Sequence, residues 1–556
     1  MTSRAAARLY LPGRLEAATR RRRQPRVAII GAGFGGIAAA VALRRRGIDD
    51  LVIIEGGPGV GGTWRRNTYP GAACDVQSHL YSFSFALNKS WSRTYARQPE
   101  ILAYLESVVD DFDLRRHLRL QTYVRRAQWN EDTWQWELQL QEANSDTVTT
   151  TALRADVVVS AVGLFAESRL PDIDGLAGYR GHLMHTSAWE PGVELTGRRV
   201  AVIGTGASAV QVVPELARIA ARVSVFQRTP PWMVPKDDRP FSVDELARFR
   251  RLPWAARRER WRVWKQFHDF TGNAVDDPQA AARAQIAASF LERTVADEGL
   301  RDLLTPDYPF RCKRVLLGAD YYLALQRDHV DLVTDPIARV TERSIVTEGG
   351  EAFDVDAIVC ATGFRTSKYL NGIEVIGRGG ESLHGRWGDD PSAYLGVAVS
   401  GFPNFFMLYG PNTNQGGNSI VYILEAGARL VAGAVSRLAR RGGWLDVRPE
   451  VERRHNERLS ADLENTIWTR CDSYFRSPSG RIVTQWPYTE LEYARRTWRL
   501  RPREWVHRYG AAPAGGPRSA RTEIDDAADQ PAGGQVGVGV VDVVEPVASG
   551  DHLVEE

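Results

Sequence analysis

The stretch Arg26-Val-Ala-Ile-Ile-Gly31-Ala-Gly33-Phe-Gly-Gly36 decides the fold. Its apolar run reads as a buried strand, its glycines as a tight turn, and Ile37 to Leu43 as a helix. Gly31 allows the turn, Gly33 lets the backbone approach a pyrophosphate, and Gly36 lets helix and strand pack. The helix N-terminus adds positive partial charge where phosphates would lie. A second apolar run, Leu51-Val-Ile-Ile, ends in Glu55, at the spacing of about 20 residues where a carboxylate meets a ribose. That carboxylate accepts hydrogen bonds from a free ribose and repels a 2′-phosphate, so FAD or NAD fits there.

Arg199-Val-Ala-Val-Ile203 and Gly204-Thr-Gly206-Ala-Ser208-Ala209 repeat the design, with alanine at a third position that tolerates it. The next strand, Arg222 to Phe226, ends in Gln227-Arg228 instead of an acid. An arginine fork meets the 2′-phosphate of NADP bidentately. FAD is therefore expected at the first turn and NADPH at the second. The fold class is α/β, with two Rossmann-like dinucleotide-binding domains. Two further apolar runs, Asp156 to Ala161 and Asp356 to Ala361, end in the small-residue turns of Gly163 and Gly363, which suit strand ends beside a dinucleotide.

From Ser242 to about Leu304 the pattern turns helical, and Trp254, Trp261, Trp264 and Phe267 recur at a spacing that predicts core packing. The expected organisation is a disordered basic N-terminus over 1–25, an FAD-binding domain over 26–150 and 356–509, an NADP-binding domain over 151–235 and 311–355, a helical insertion over 236–310 within it, and a disordered tail over 510–556.

The 556 residues suffice for several domains of roughly 100 to 200 residues. A net charge of +3 gives no reason to expect a nucleic-acid or lipid partner, and no run approaches the roughly 18 apolar residues of a membrane span. Cys74, Cys312, Cys360 and Cys471 are scattered, without a CxxC pair or a Cys/His cluster, so neither a disulfide framework nor a metal site is expected. The N-terminus lacks a secretory apolar stretch, which suggests a reducing cytoplasm.

Two longer motifs are more specific than any glycine turn: Gly61-Gly62-Thr63-Trp64-Arg-Arg-Asn-Thr-Tyr69-Pro70-Gly71-Ala-Ala-Cys74-Asp75, and Tyr179-Arg-Gly181-His-Leu-Met-His185-Thr186-Ser-Ala-Trp189. They resemble the fingerprints of type I Baeyer-Villiger monooxygenases, relatives of cyclohexanone, phenylacetone and 4-hydroxyacetophenone monooxygenases. The likeness runs from about Arg26 to about Arg503. Tyr179 stands where the family usually has Phe, and Trp189-Glu190-Pro191 replaces its Trp-Pro or Trp-Asp. Sister N- or S-oxygenating flavin monooxygenases, the alternative reading, normally lack Trp189 and Asp75.

The resemblance implies FAD, NADPH, O2 and a small ketone, converted to an ester or lactone through a flavin C4a-peroxide. It implies that Gly62, Thr63 and Trp64 adjoin FAD, and that Lys313 and Thr229 join Arg228 at NADP. It also implies that Arg314, within Tyr308-Pro-Phe-Arg-Cys312-Lys313-Arg314, is catalytic over the flavin with Asp75 as its partner. The chemistry separately calls for a permanent cation, which keeps an attacking peroxide anionic and stabilises the tetrahedral adduct. The segment Phe402 to Asn412, with Asn418 and Glu425 beyond, is expected to return to FAD; Tyr474, where relatives often have Trp, lies in a loop expected to meet substrate. His185 is read as a hinge or core-edge histidine outside the catalytic set.

Overall fold

Val27–Ile30 and Arg199–Ile203 each form the middle strand of a five-stranded parallel sheet. The computed structural model describes residues 24–510, apart from 144–150, 253, 269–271, 276, 319 and 371. The predicted disorder at both termini thus falls almost wholly outside the described residues.

In the first sheet the order is Phe405–Met407, Val157–Ser160, Val27–Ile30, Leu51–Ile54, Leu118–Arg119. Val27, Ile29, Val157 and Val159 are fully buried, as expected of strands covered on both faces. The helix Phe34–Arg44 packs against the long helix Ile420–Arg441, which is rich in small buried residues. A meander of Thr122–Asn130, Gln135–Glu142 and Thr151–Ala155 lies against this half, with Glu374–Ile376 paired to its edge.

The second sheet has the order Val330–Val333, Arg222–Phe226, Arg199–Ile203, Ala357–Cys360, His182–His185. The strand pairing crosses both divisions drawn from sequence. Val157–Ser160, assigned above to the 151–235 segment, pairs with Val27–Ile30 in the first sheet. Ala357–Cys360, assigned to 356–509, pairs with Arg199–Ile203 in the second. The reason is the same in both: each apolar run is most fully buried as the strand beside its own glycine turn.

The insertion is helical as expected, with Val243–Arg251, Ala255–His268, Ala280–Thr294 and Glu298–Leu304. A capping box of Ser242 and Glu245 starts it. Its mouth is closed where Met233–Val234 pairs with Leu316–Leu317 and the Trp232 indole N–H donates to the Tyr308 carbonyl at 2.8 Å. Half of the aromatic stripe is not core. Trp254 and Trp261 are 54% and 60% exposed, because the helix Ala255–His268 turns its Ala255, Ala256 and Val263 face inward instead. Among the described residues, no helix is long and apolar enough to cross a membrane, and no cluster of metal-ligating side chains occurs.

Candidate active site

The two glycine turns are built by the same contact. Gly31 has φ +102°, and a Cβ there would sit 2.6 Å from the Ala161 carbonyl oxygen. Gly204 has φ +106°, and its Cβ would sit 2.8 Å from that of Ala361. Ala161 and Ala361 in turn donate to Ile30 and Ile203 at 2.8 and 2.9 Å, tying each returning strand to its turn. A Cβ on Gly36 would fall 1.9 Å from the Gly31 carbonyl.

Gly33 caps the helix Phe34–Arg44 with no side-chain hydrogen bond, so the first-turn N–H groups face outward for an anion. Gly62, at φ +55°, lies over it, and a Cβ on Gly62 would come 3.1 Å from the Gly33 Cα. Thr63 follows, exposed, and the Trp64 indole N–H donates to the Tyr81 hydroxyl at 3.1 Å. At the second turn a Cβ on Gly206 would meet nothing within 4 Å, so the groove stands open there. Ser208 caps Ala209–Ile219 and hydrogen-bonds Tyr69.

The strand ends carry opposite charge. Glu55 accepts from the Ala32 and Gly57 N–H groups, both at 2.8 Å, which fixes its carboxylate beside the first turn. Arg228 stands exposed at the end of the Arg222 strand, and the neighbouring Thr229 carbonyl accepts from the Thr205 hydroxyl at 2.9 Å. The Lys313 ammonium, stacked 4.5 Å from the Tyr308 ring, is pushed below its ordinary value first by burial and then by Arg228. Asp307 and Asp472 act the other way. Two cations brought this close fit a phosphate with a charge of about −2. The first turn, with its carboxylate, fits an unphosphorylated ribose.

Asp75 and Arg314, 239 residues apart, are joined by a hydrogen-bonded ion pair. Burial alone would push the Asp75 carboxyl up, but the Arg314 charge and hydrogen bond hold it below the usual carboxylate range. Asp75 in turn raises Arg314 against its own desolvation, and the nearby Tyr474 acts in the same direction. The Arg314 side chain nonetheless keeps 38% of its surface open, so a small molecule can reach it. What delivers Asp75 here is its own motif. Tyr69 donates to the Gln211 side-chain carbonyl at 2.8 Å, the Gln211 amide donates to the Ala73 carbonyl at 3.0 Å, and Gly71, at φ +83°, clears the Gln211 backbone where a Cβ would come within 2.3 Å.

Two residues near this pair were not singled out from the sequence, although Tyr409 lies within the segment Phe402 to Asn412. Lys236, half-buried with its ammonium 4.9 Å from the Tyr95 ring, is a second cation close to Asp75. Tyr409 adjoins Tyr474, Arg314 and Asp75, and donates to the Asn414 side chain at 2.7 Å. Only proximity in the fold identifies them. Other expectations change. Cys312 and Cys471 form a disulfide across 159 residues, contrary to the reading from their scattered spacing, while Cys74 and Cys360 are free and buried. Asn418 donates to Glu490 at 2.8 Å, and Glu425 accepts from the Ser84 N–H and hydroxyl at 2.6 Å, so both are engaged within the protein. His185 is buried against Phe364 and bonded to Ser187, and burial lowers its pKa.

Known proteins resemble this chain in sequence and in fold. A family described as pyridine nucleotide-disulphide oxidoreductase matches residues 28–252, the span of both glycine turns. A Baeyer-Villiger monooxygenase of Streptomyces coelicolor is 40% identical over 92% of this chain and 98% of its own, and one of Pseudomonas aeruginosa is 40% identical over 86% and 89%. Cyclohexanone monooxygenase from Rhodococcus sp. Phi1, solved bound to NADP+, matches with a TM-score of 0.77 at 32% identity, covering 87% of this chain and 99% of that one. OTEMO, solved in complex with FAD and NADP, matches at 0.76 and 29%, covering 86% and 98%. Identity at this level over nearly the whole length, together with the paired turns and the Asp75–Arg314 ion pair between them, makes the chain a member of the Baeyer-Villiger monooxygenases.

Proposed function

We propose that this enzyme uses FAD, NADPH and O2 to convert a small ketone into an ester or lactone, with Arg314 as the residue on which the chemistry turns. The observation that carries the reading is the reachable Arg314 guanidinium, charged and held by Asp75. Gly31, Gly33, Gly36, Glu55, Gly62, Thr63, Trp64 and Asp75 are assigned to the FAD side. Gly204, Gly206, Ser208, Arg228, Thr229 and Lys313 are assigned to NADPH.

Held at the two turns, FAD and NADPH would supply the electrons and the activated oxygen. The rest falls to the chain. A guanidinium is not deprotonated in a protein, and Asp75 raises it further, so Arg314 presents a fixed positive charge at every working pH. Such a charge stabilises a ketone oxygen most when that oxygen turns anionic on becoming tetrahedral, which lowers the barrier rather than merely binding substrate. Asp75 orients the guanidinium and takes no proton. No side chain forms a covalent bond to substrate.

We place the enzyme in the cytoplasm, without nucleic-acid or membrane partners, in keeping with its near-balanced charge. The test is ester formation from a panel of ketones by FAD-loaded protein, with NADPH and with NADH, in the wild type and in Arg314→Ala. NADPH-dependent ester and a drop of about 10²–10³-fold in Arg314→Ala, with FAD retained, are expected. Ester formation that survives in Arg314→Ala sinks the role given to Arg314. Oxidation of amines or sulfides alone moves the chain to N- or S-oxygenation.

A further inference from the structure

The segment that carries Arg314 and the loop that carries Tyr474 face each other rung by rung. Cys312 and Cys471 are joined covalently, with Cα atoms 6.0 Å apart. One residue on, Asp472 lies close enough to Lys313 to favour its charge. At the next rung Arg314 and Tyr474 lie close enough for each to influence the other's charge.

The two sides are anchored unequally. Behind Cys312, the Arg311 guanidinium donates to the Gly272 carbonyl at 2.7 Å and to Asn273 at 3.2 Å, and the Cys312 N–H donates to the Pro309 carbonyl at 3.1 Å. The other side is a loop after the short helical turn Ile467–Arg470. Thr366 donates to the Tyr474 carbonyl at 2.6 Å, yet Tyr474 remains 38% exposed. Cys312 is fully buried and Cys471 is half-buried. A reductant therefore has its approach from the Cys471 side. Cys74 and Cys360 are poor exchange partners, since burial pushes both thiols up, that of Cys360 to about 12.

We propose that the Cys312–Cys471 disulfide is a redox-sensitive tether that positions Tyr474 on Arg314. This rests on the catalytic reading of Arg314. Both cysteines are positioning residues: they act through Tyr474 and touch no substrate. A dithiol opens the tether. The S–S bond breaks, two electrons and two protons are taken up, Cys312 and Cys471 become thiols, and the dithiol leaves as its own disulfide. Arg314 then keeps Asp75 but loses the covalent hold on the Tyr474 loop. The consequence is a looser ketone site, with FAD retained because the glycine turns are untouched.

The test uses full-length, FAD-loaded enzyme. Thiol titration in denaturant should count two free cysteines before dithiothreitol and all four afterwards. Reduction, with excess dithiol removed, should raise the ketone KM by roughly ten- to a hundredfold and lower the ester formed per NADPH. Trypsin should cut faster after Arg470 and Arg476 in the reduced enzyme, without ketone or NADPH present. The Cys312→Ser/Cys471→Ser variant should match reduced wild type in all three respects and ignore dithiothreitol. Four free thiols at the outset, or a reduced enzyme with unchanged KM, coupling and proteolysis, overturns the tether. If those nulls coincide with an inactive Arg314→Ala, only the tether is lost. An active Arg314→Ala removes the catalytic reading whatever the thiols do.

Discussion

Gly31 and Gly204 adopt nearly the same backbone angle, and each is pressed against an alanine carbonyl on the strand beside it. Past that shared turn the two halves diverge. The first strand end carries Glu55, locked by two backbone N–H groups; the second carries Arg228, exposed, with Lys313 brought up from a distant segment. The crowding diverges as well. The first turn is closed over by Gly62, whereas Gly206 borders open space. Backbone geometry thus suits both turns to a dinucleotide, and on the proposed assignment one or two side chains decide which.

The comparison can be broken most severely at its tightest contact. Gly36→Ala drives a Cβ into the Gly31 carbonyl, and the expected result is no soluble FAD-loaded protein, checked by flavin absorbance after purification. Gly206→Ala is the control at the other turn: it should fold and melt like wild type, because its Cβ meets nothing.

Next in size is coenzyme choice. Arg228→Ala removes a charged phosphate contact of roughly 1.5–3 kcal/mol, so the NADPH KM should rise about 10- to 100-fold while that for NADH barely moves. Equal loss for both coenzymes would mean that Arg228 holds something other than the 2′-phosphate. Glu55→Gln keeps an acceptor but discards the charge, and FAD should dissociate about tenfold faster, read by flavin fluorescence during dilution.

The smallest effect is on stability. Asp446, buried beside the edge of the first sheet and accepting from the Gly401 N–H at 2.9 Å, has its carboxyl pushed up to about 7 by burial. Gly401, Arg378 and Arg386 oppose that rise, and Glu452 adds to it. Because the folded value lies above the unfolded one, the folded chain holds the extra proton, and stability falls as pH climbs from about 4 to about 7. The loss is at most about 4 kcal/mol. Asp446→Asn should therefore melt a few degrees above wild type at pH 8 and equal it only below about pH 4. A pH-independent difference would place the cause elsewhere.

What the sequence made legible was local. The glycine turns, Glu55 and Arg228 can be read from the chain because the constraint on each comes from residues within one strand-turn-helix unit. The first long motif and the segment Tyr308 to Arg314 extended that reach to Asp75 and Arg314 through family resemblance. The rungs between 312–314 and 471–474 depend on contacts across 159 residues, and no periodicity encodes them. Strand membership failed for a related reason. Val157–Ser160 and Ala357–Cys360 look alike as apolar runs, and only pairing assigns each to its sheet. Trp254 and Trp261 misled because helical spacing says that residues share a face, not which way that face turns.

The assignment of Val157–Ser160 and Ala357–Cys360 to different sheets also makes the coenzyme-binding half an insert within the other, entered after Ser160 and left after Cys360. The coenzyme-binding half, with all five strands of its sheet between His182 and Cys360, is one run of chain, whereas the other half is split around it. On the proposed assignment, a change of coenzyme is open to point substitutions such as those at Arg228 and Lys313, while a wholesale exchange of modules needs two junctions, one after Ser160 and one after Cys360.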